Sequence, residues 1–173
     1  MPQNIEIKVR TNSLARVRER AIAMADQGPF ELSQIDYFFP VPNGRLKLRV
    51  ENSTQPGRSS KSELIAYQRP DEATARYSDY LLYATSEPNL LRESLGRALG
   101  VGPVVHKTRE LFLVGRTRIH LDTVEQLGTF VEIEVVMQDG EAEVDGQQEL
   151  NRLMNELGIE SAEVMELAYA DML

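Results

Sequence analysis

The sequence predicts an α+β fold: a closed eight-stranded antiparallel β-barrel with a charged interior and flanking helices. Three observations carry that expectation. Much of the 173-residue chain alternates apolar and charged residues with a period of two, the signature of strands rather than helices. Eight such stretches follow one another through short connections, and helical periodicity appears only after the first, fifth and eighth. Closing eight strands on themselves leaves no exposed edge.

Residues 4–10 (NIEIKVR) set Ile5, Ile7 and Val9 on one face and Glu6, Lys8 and Arg10 on the other. A helix over about 14–25 follows, capped by Thr11, Asn12 or Ser13, with Leu14, Val17, Ala21 and Met24 along one side and Gly28-Pro29 as its stop. Four strands are expected at roughly 30–40, 45–51, 61–69 and 76–85. Asn43-Gly44 signals a tight turn between the first two, and NSTQPGRSS forms a polar loop between the next two. Glu87-Pro88 opens a helix that Gly100 stops. Strands at 103–114, 116–122 and 128–137 complete the eight. Two helices then read at about 143–157, with Leu150, Leu153, Met154 and Leu157 on its face, and at 161–171, with Val164, Leu167 and Ala168. No repeat or linker divides the chain, so residues 1–173 are expected to form a single domain.

Nineteen Lys and Arg against twenty-seven Asp and Glu give a net charge of −8, which argues against a nucleic-acid polymer as partner. Without cysteine there is no disulfide, thiolate zinc site or iron–sulfur cluster. Any metal is therefore expected on oxygen ligands, and His106 and His120 lack the H-E-x-x-H spacing of the common zinc hydrolases. The N-terminus has no apolar leader and no run reaches membrane-spanning length, so the expected compartment is the cytoplasm, with no membrane partner.

Sorting the charges by strand phase changes this picture. Ten cations, Lys8, Arg10, Arg45, Lys47, Arg49, Arg69, Lys107, Arg109, Arg116 and Arg118, share phases with six carboxylates, Glu6, Glu51, Glu63, Asp122, Glu132 and Glu134. The rest of the chain is left with nine cations and twenty-one acids. Two arrangements fit. In a sandwich these faces are solvated and their cross-strand ion pairs are weak. In an inverted barrel, Ile5, Ile7, Leu46, Leu48, Ile119, Leu121, Val131, Ile133 and Val135 pack outward under helices and the charges line a tunnel. Buried charge then needs pairing or a ligand. An excess of cations suits a triphosphate, and clustered carboxylates suit Mg²⁺ or Mn²⁺. A membrane barrel shares this inversion, but 6% aromatics are too few for interfacial girdles.

A run of fragments favours the tunnel. Asn4-Ile5-Glu6-Ile7-Lys8 resembles the opening E-x-E-x-K motif of the CYTH superfamily, which contains the class IV adenylyl cyclases and the thiamine and inorganic triphosphatases. GRLKLR at 44–49, ELIAYQR at 63–69, SDY at 78–80, Val105 to Arg109, RIHLD at 118–122 and FVEIE at 130–134 follow in that family's order. The resemblance implies a triphosphate tunnel with phosphate contacts at Lys8, Lys47, Arg49, Arg69, Lys107, Arg109 and Arg118. It implies metal ligands at Glu6, Glu132 and Glu134 with Asp122 nearby, and a catalytic set of Glu63, Lys107 and Arg109, in which Glu63 orients a neighbouring cation or the nucleophile. The implied cofactor is Mg²⁺ or Mn²⁺, the implied partner a small triphosphate such as ATP, tripolyphosphate or thiamine triphosphate, and the implied assembly a homodimer. Asn4 departs from the pattern and removes one carboxylate, which bears on how many ions are held.

The same tunnel serves two reactions. A cyclase directs the ribose 3′-hydroxyl at the α-phosphate, whereas a triphosphatase directs water at the γ-phosphate. RLKLR, ELIAYQR, SDY and RIHLD look closest to the cyclase branch, which is placed first, ahead of triphosphate hydrolysis and of a non-catalytic nucleotide-binding module. His120 shares the inward phase and reads as a structural hydrogen-bonding residue ahead of a proton shuttle. Tyr67 is expected to contact a nucleoside or to pack the barrel, and Tyr37-Phe38-Phe39 to lie in the core. Arg58 and Lys61 sit in a loop able to fold over the mouth, and the acidic stretch 139–145 reads as a solvated helix start.

Overall fold

Alternation decides which face each side chain joins, and pairing register decides which residues meet across the sheet. The computed structural model describes residues 3–53, 57–68, 76–159, 164–165 and 167–173. Its strands are β1 (Gln3–Arg10), β2 (Gln27–Phe39), β3 (Arg45–Ser53), β4 (Lys61–Gln68), β5 (Arg76–Ala84), β6 (Val104–Val114), β7 (Thr117–Val124) and β8 (Gly128–Val136). They pair antiparallel in the order β1-β5-β4-β3-β2-β6-β7-β8, and β8 returns to β1. Two meanders, β2 to β5 and β6 to β8, therefore meet at β2 and β6, and β1 bridges their far strands. The predicted turn at Asn43-Gly44 joins β2 to β3, where Gly44 takes the positive φ of 65° that a tight turn requires.

Among the described residues, β1 and β5 share the fewest register pairs. Four residue pairs, from Gln3↔Asp79 to Glu6↔Arg76, are in register there, against seven between β1 and β8. Farther along β1 the C-terminal segment meets Lys8 and Val9. Val164 bridges Val9, and the Met165 N–H donates to the Lys8 carbonyl at 2.8 Å. This corrects the helix expected over 161–171. Among the described residues there, helical geometry is confined to a 3₁₀ turn at Tyr169–Asp171, while residues 160–163 and 166 lie outside the description. The bridge of Val164 to Val9 is a contact between segments far apart in the chain, which helical periodicity does not register.

The three helices are α1 (Leu14–Met24), α2 (Pro88–Leu99) and α3 (Glu143–Leu157). Val17 and Ala21 of α1, with Leu150, Leu153, Met154 and Leu157 of α3, pack on Ile5, Ile7, Val9, Phe112, Ile119, Leu121, Val131, Ile133 and Val135. The main core thus lies outside the barrel, between sheet and helices, as the inverted arrangement requires. At Gly146 a Cβ would come within 2.8 Å of Ile5 Cδ1, so the start of α3 approaches the barrel more closely than a side chain allows. In contrast, α2 buries none of its residues, and Leu81, Leu82 and Tyr83 of β5 are exposed. No helix among the described residues is long and apolar enough to cross a membrane.

Candidate active site

With the apolar faces turned out, the ionisable faces enclose a cavity of about 230 Å³. Lys8, Lys47, Arg49, Lys107, Arg109 and Arg118 line it together with Glu6, Asp36, Glu51, Glu63, Glu132 and Glu134. Half-buried Arg58 and exposed Lys61 also line it. Register sets opposite charges beside one another: Asp36 faces Arg49, Arg109 faces Asp122, Lys8 faces Glu132 and Arg118 faces Glu134. Cross-strand pairing therefore offsets much of the desolvation that burying these groups costs.

Three clusters result. In the first, the Asp36 carboxylate accepts from Lys47 Nζ at 2.9 Å and from Arg49 through Nε at 2.7 Å and a terminal nitrogen at 2.8 Å. Burial works to raise this carboxyl, but Arg49 and Lys47 outweigh it and hold Asp36 well below the usual carboxylate range. Burial and the neighbouring Arg49 push Lys47 down to about 8, with Asp36 opposing them. The cations on this side are already aligned by a bidentate pair, the geometry that gives Arg its selectivity for planar or tetrahedral oxyanions.

The second cluster surrounds Asp122, which is fully buried. Arg109 donates to both of its oxygens at 2.6 Å, and the Tyr169 hydroxyl donates to Oδ2 at 2.9 Å. Lys107 Nζ lies 3.8 Å from Asp122 and 4.0 Å from Asp36, joining the first two clusters. Burial, reinforced by Arg109 and only partly countered by Asp122, pushes Lys107 down to about 7. Lys8 Nζ sits 3.8 Å from the centroid of the Tyr169 ring.

The third cluster occupies β1, β7 and β8. Glu132 Oε2 lies 3.8 Å from Lys8 Nζ and 3.6 Å from an Arg109 nitrogen, and Glu134 Oε2 lies 2.9 Å from Arg118 Nε. Burial tends to raise Glu132, but Lys8 and Arg109 outweigh it and hold it low. Burial raises Glu134 to about 7; Arg118 opposes this, and Glu132 and Glu6 add to it. His120 is buried with its Nδ1 3.8 Å from Glu134 Oε1 and 4.0 Å from Glu132 Oε1. One donor atom from each of His120, Glu132 and Glu134 lies within 4.8 Å of the others, and Glu6 faces Glu134 across the β1–β8 pair. This donor set fits a divalent cation: its carboxylate oxygens suit Mg²⁺ or Mn²⁺, and a carboxyl raised by burial beside other acids gains most from a positive ion.

The structure gathers most of the residues singled out from the sequence and moves several. Asp122 faces Arg109 and Tyr169 with both oxygens engaged, so it sits as an anchor for a cation rather than among the clustered metal donors. The Glu63 carboxylate pairs with Lys61 at 3.0 Å on the tunnel wall. Arg69 lies outside the described residues. Arg10, Arg45 and Arg116 share the inward phase but sit at strand ends and line no part of the cavity: Arg10 donates to the Leu127 carbonyl, Arg45 pairs with Asp171, and Arg116 with Glu141. Asn4 is buried on the tunnel wall. Of the aromatic trio, Phe38 lines the tunnel, Phe39 is buried, and Tyr37 lies under the Arg92 guanidinium. Tyr67 lines the tunnel, and Arg58 reaches toward Glu51 at 3.5 Å.

Two residues escaped the sequence reading. Asp36 alternates in phase with Gln34 and Phe38 in QIDYFF, so the two-residue period was enough to place it inside. Tyr169 gave no such signal, because it belongs to a short turn delivered by the tail.

An antiparallel barrel with its apolar core outside and paired charges within defines a class of fold built around an ionisable tunnel. Residues 2–169 match the CYTH domain, and the chain belongs to that family. The fold recurs in the PH1012 protein of Pyrococcus horikoshii, at 23% identity and a TM-score of 0.81 over 98% of this chain and 99% of that one. It recurs in a candidate adenylate cyclase of Vibrio parahaemolyticus, at 19% identity and a TM-score of 0.71 over 98% and 96%. It recurs again in HpAC1 of Hippeastrum, a candidate adenylyl cyclase with a dominant triphosphatase activity, at 14% identity and a TM-score of 0.65 over 99% and 93%. No curated protein matches the chain.

Proposed function

We propose that the protein is a divalent-metal-dependent enzyme that holds a triphosphate in the tunnel and hydrolyses it. The observation that carries this reading is a cavity of about 230 Å³ lined by seven buried or half-buried Lys and Arg beside a carboxylate and histidine cluster. That volume is below the roughly 300 Å³ at which drug-sized ligand pockets begin, so it suits a phosphate chain better than a whole nucleotide. The volume therefore favours attack at the terminal phosphate over the cyclisation that the sequence motifs placed first. The dominant triphosphatase activity of the Hippeastrum relative points the same way.

In this reading Lys8, Lys47, Arg49, Lys107, Arg109 and Arg118 bind the phosphate oxygens, and Asp36 and Asp122 keep the arginines aligned before substrate arrives. Glu6, Glu132 and Glu134 would hold Mg²⁺ or Mn²⁺, which supplies charge neutralisation at the phosphate oxygens. Glu63, at the wall with Lys61 and opposite Arg49, orients a cation or the nucleophile. Cyclisation of ATP is the second reading. It is favoured by the apolar and aromatic portion of the wall, where Phe38, Ile65, Tyr67 and Leu82 offer a surface to a base.

Incubating the protein with tripolyphosphate, thiamine triphosphate and ATP under Mg²⁺ or Mn²⁺ tests both readings. Release of inorganic phosphate is the expected result; pyrophosphate with cyclic AMP from ATP would transfer the assignment to the cyclase. Tight binding without turnover of any of the three would leave a binding module. Glu134→Gln is expected to lower metal-dependent turnover by about 100-fold or more, whereas Arg49→Ala raises KM for the triphosphate. Wild-type kinetics in both variants would sink the site assignment.

A further inference from the structure

His120 stands out because it is buried and polar and its Nδ1 has no hydrogen-bond partner. A structural histidine satisfies its ring nitrogens, because an unmet buried polar atom carries its full desolvation cost. Here the nitrogen points instead at two carboxylates. Glu132 and Glu134 each set Oε2 toward a cation, Lys8 and Arg109 for the first and Arg118 for the second. Each turns Oε1 toward His120 Nδ1, at 4.0 Å and 3.8 Å. These distances are too long for hydrogen bonds. An octahedral ion with bonds of about 2.1 Å spans cis donors about 3 Å apart and trans donors about 4.2 Å apart, so the three atoms stand somewhat wider than a loaded site and would close by less than about 1 Å on an ion between them.

We infer that His120 Nδ1, Glu132 Oε1 and Glu134 Oε1 form a mixed nitrogen and oxygen site that takes a first-row transition ion such as Mn²⁺ or Co²⁺ in preference to Mg²⁺. Imidazole nitrogen favours transition ions, whereas Mg²⁺ favours an all-oxygen shell. The site also answers the loss of a carboxylate at Asn4: a nitrogen donor on β7 supplies a ligand where the first motif position offers an amide. The inference rests on the reading of the tunnel as a metal-assisted triphosphate site, and adds a ligand and a class of metal to it.

The chain has two histidines, and His106 is exposed on β6. An untagged His106→Gln protein therefore carries His120 as its sole imidazole. Pulsed electron paramagnetic resonance of Mn²⁺ bound to this protein, without substrate, is expected to show hyperfine coupling to imidazole nitrogen that changes on ¹⁵N-histidine labelling. Binding titrations follow: His120→Gln should weaken Mn²⁺ and Co²⁺ by about tenfold or more and Mg²⁺ by less than about threefold. The single-histidine protein keeps the test decisive even if His120→Gln fails to fold. Absence of nitrogen coupling, or equal losses for all three ions, overturns the inference. Metal-dependent turnover without nitrogen coupling overturns the inference alone. Nitrogen coupling without turnover of any triphosphate supports the metal site and overturns the proposed function.

Discussion

The two sides of the barrel are built differently. On one side β1, β6, β7 and β8 are backed by α1 and α3, and residues such as Phe112, Ile119, Val131 and Ile133 are fully buried. On the other, α2 buries none of its residues, Leu81 and Tyr83 of β5 lie outside the cavity with high exposure, and Leu82 on the cavity side is exposed as well. The inner faces differ in parallel. The backed wall carries Glu6, His120, Asp122, Glu132 and Glu134 together with Lys8, Lys107, Arg109 and Arg118, whereas the thinner wall carries Lys47, Arg49 and Glu63. A metal-binding cluster needs donors fixed to within fractions of an ångström, and close packing supplies that rigidity. Lys47 and Arg49, the clamp members on the thinner wall, are long side chains that tolerate adjustment, so a less heavily packed wall serves them.

Truncating the backed wall gives the largest effect. Phe112→Ala is expected to cost about 3–5 kcal/mol of stability, measured by urea unfolding. A loss below about 1 kcal/mol would show that the helices contribute little to that wall. Next in size is Asp122→Ala, which leaves buried Arg109 without its bidentate partner and is expected to cost about 3 kcal/mol or more. An unfolding curve that matches the wild type would remove Asp122 as the anchor.

The clamp is tested by pH. Lys107, at about 7, and Lys47, at about 8, lose their protons in the free protein as pH rises through those values. A bound polyphosphate favours the protonated amines and raises both, so binding takes up protons above pH 7, and affinity falls by up to about tenfold per pH unit for each group titrating. Calorimetry of tripolyphosphate binding in buffers of different ionisation enthalpy measures the uptake, and Lys107→Arg should remove its share. Without ligand the sign reverses for stability. The folded pKa of Lys107 lies below its usual 10.5, so the penalty for its charge is full below pH 7 and disappears as pH rises toward 10.5. Binding with no pH dependence between 7 and 9 would take both lysines out of the clamp. The smallest effect belongs to the thinner wall: Tyr83→Ser on β5 is expected to stay within about 0.5 kcal/mol of wild type by the same urea measurement. A core-sized loss there would erase the contrast between the walls.

Strand phase was legible because alternation is local: each residue's neighbours two positions away share its face, whatever the partner strand. That was enough to set Ile5, Ile7, Ile119, Val131 and Ile133 on one face and Lys8, Lys107, Arg109, Glu132 and Glu134 on the other, and the ordered family motifs decided that the charged face is the inner one. The same rule misplaced Arg10, Arg45 and Arg116, because phase says nothing about height along the barrel, and at a strand end an inward phase still reaches solvent or a loop.

The sequence by itself determined the number and order of the strands, the inversion of the barrel and the family, since each follows from short-range pattern and ordered motifs. Only the tertiary structure decided how the interior charges are apportioned. Asp36 holds Lys47 and Arg49, Asp122 holds Arg109, and the tail abandons its expected helix to pair with β1, which accompanies Tyr169 under Lys8 and against Asp122. These assignments depend on cross-barrel distance and on the pairing of the tail with β1. Both arise between segments far apart in the chain, where local periodicity carries no information.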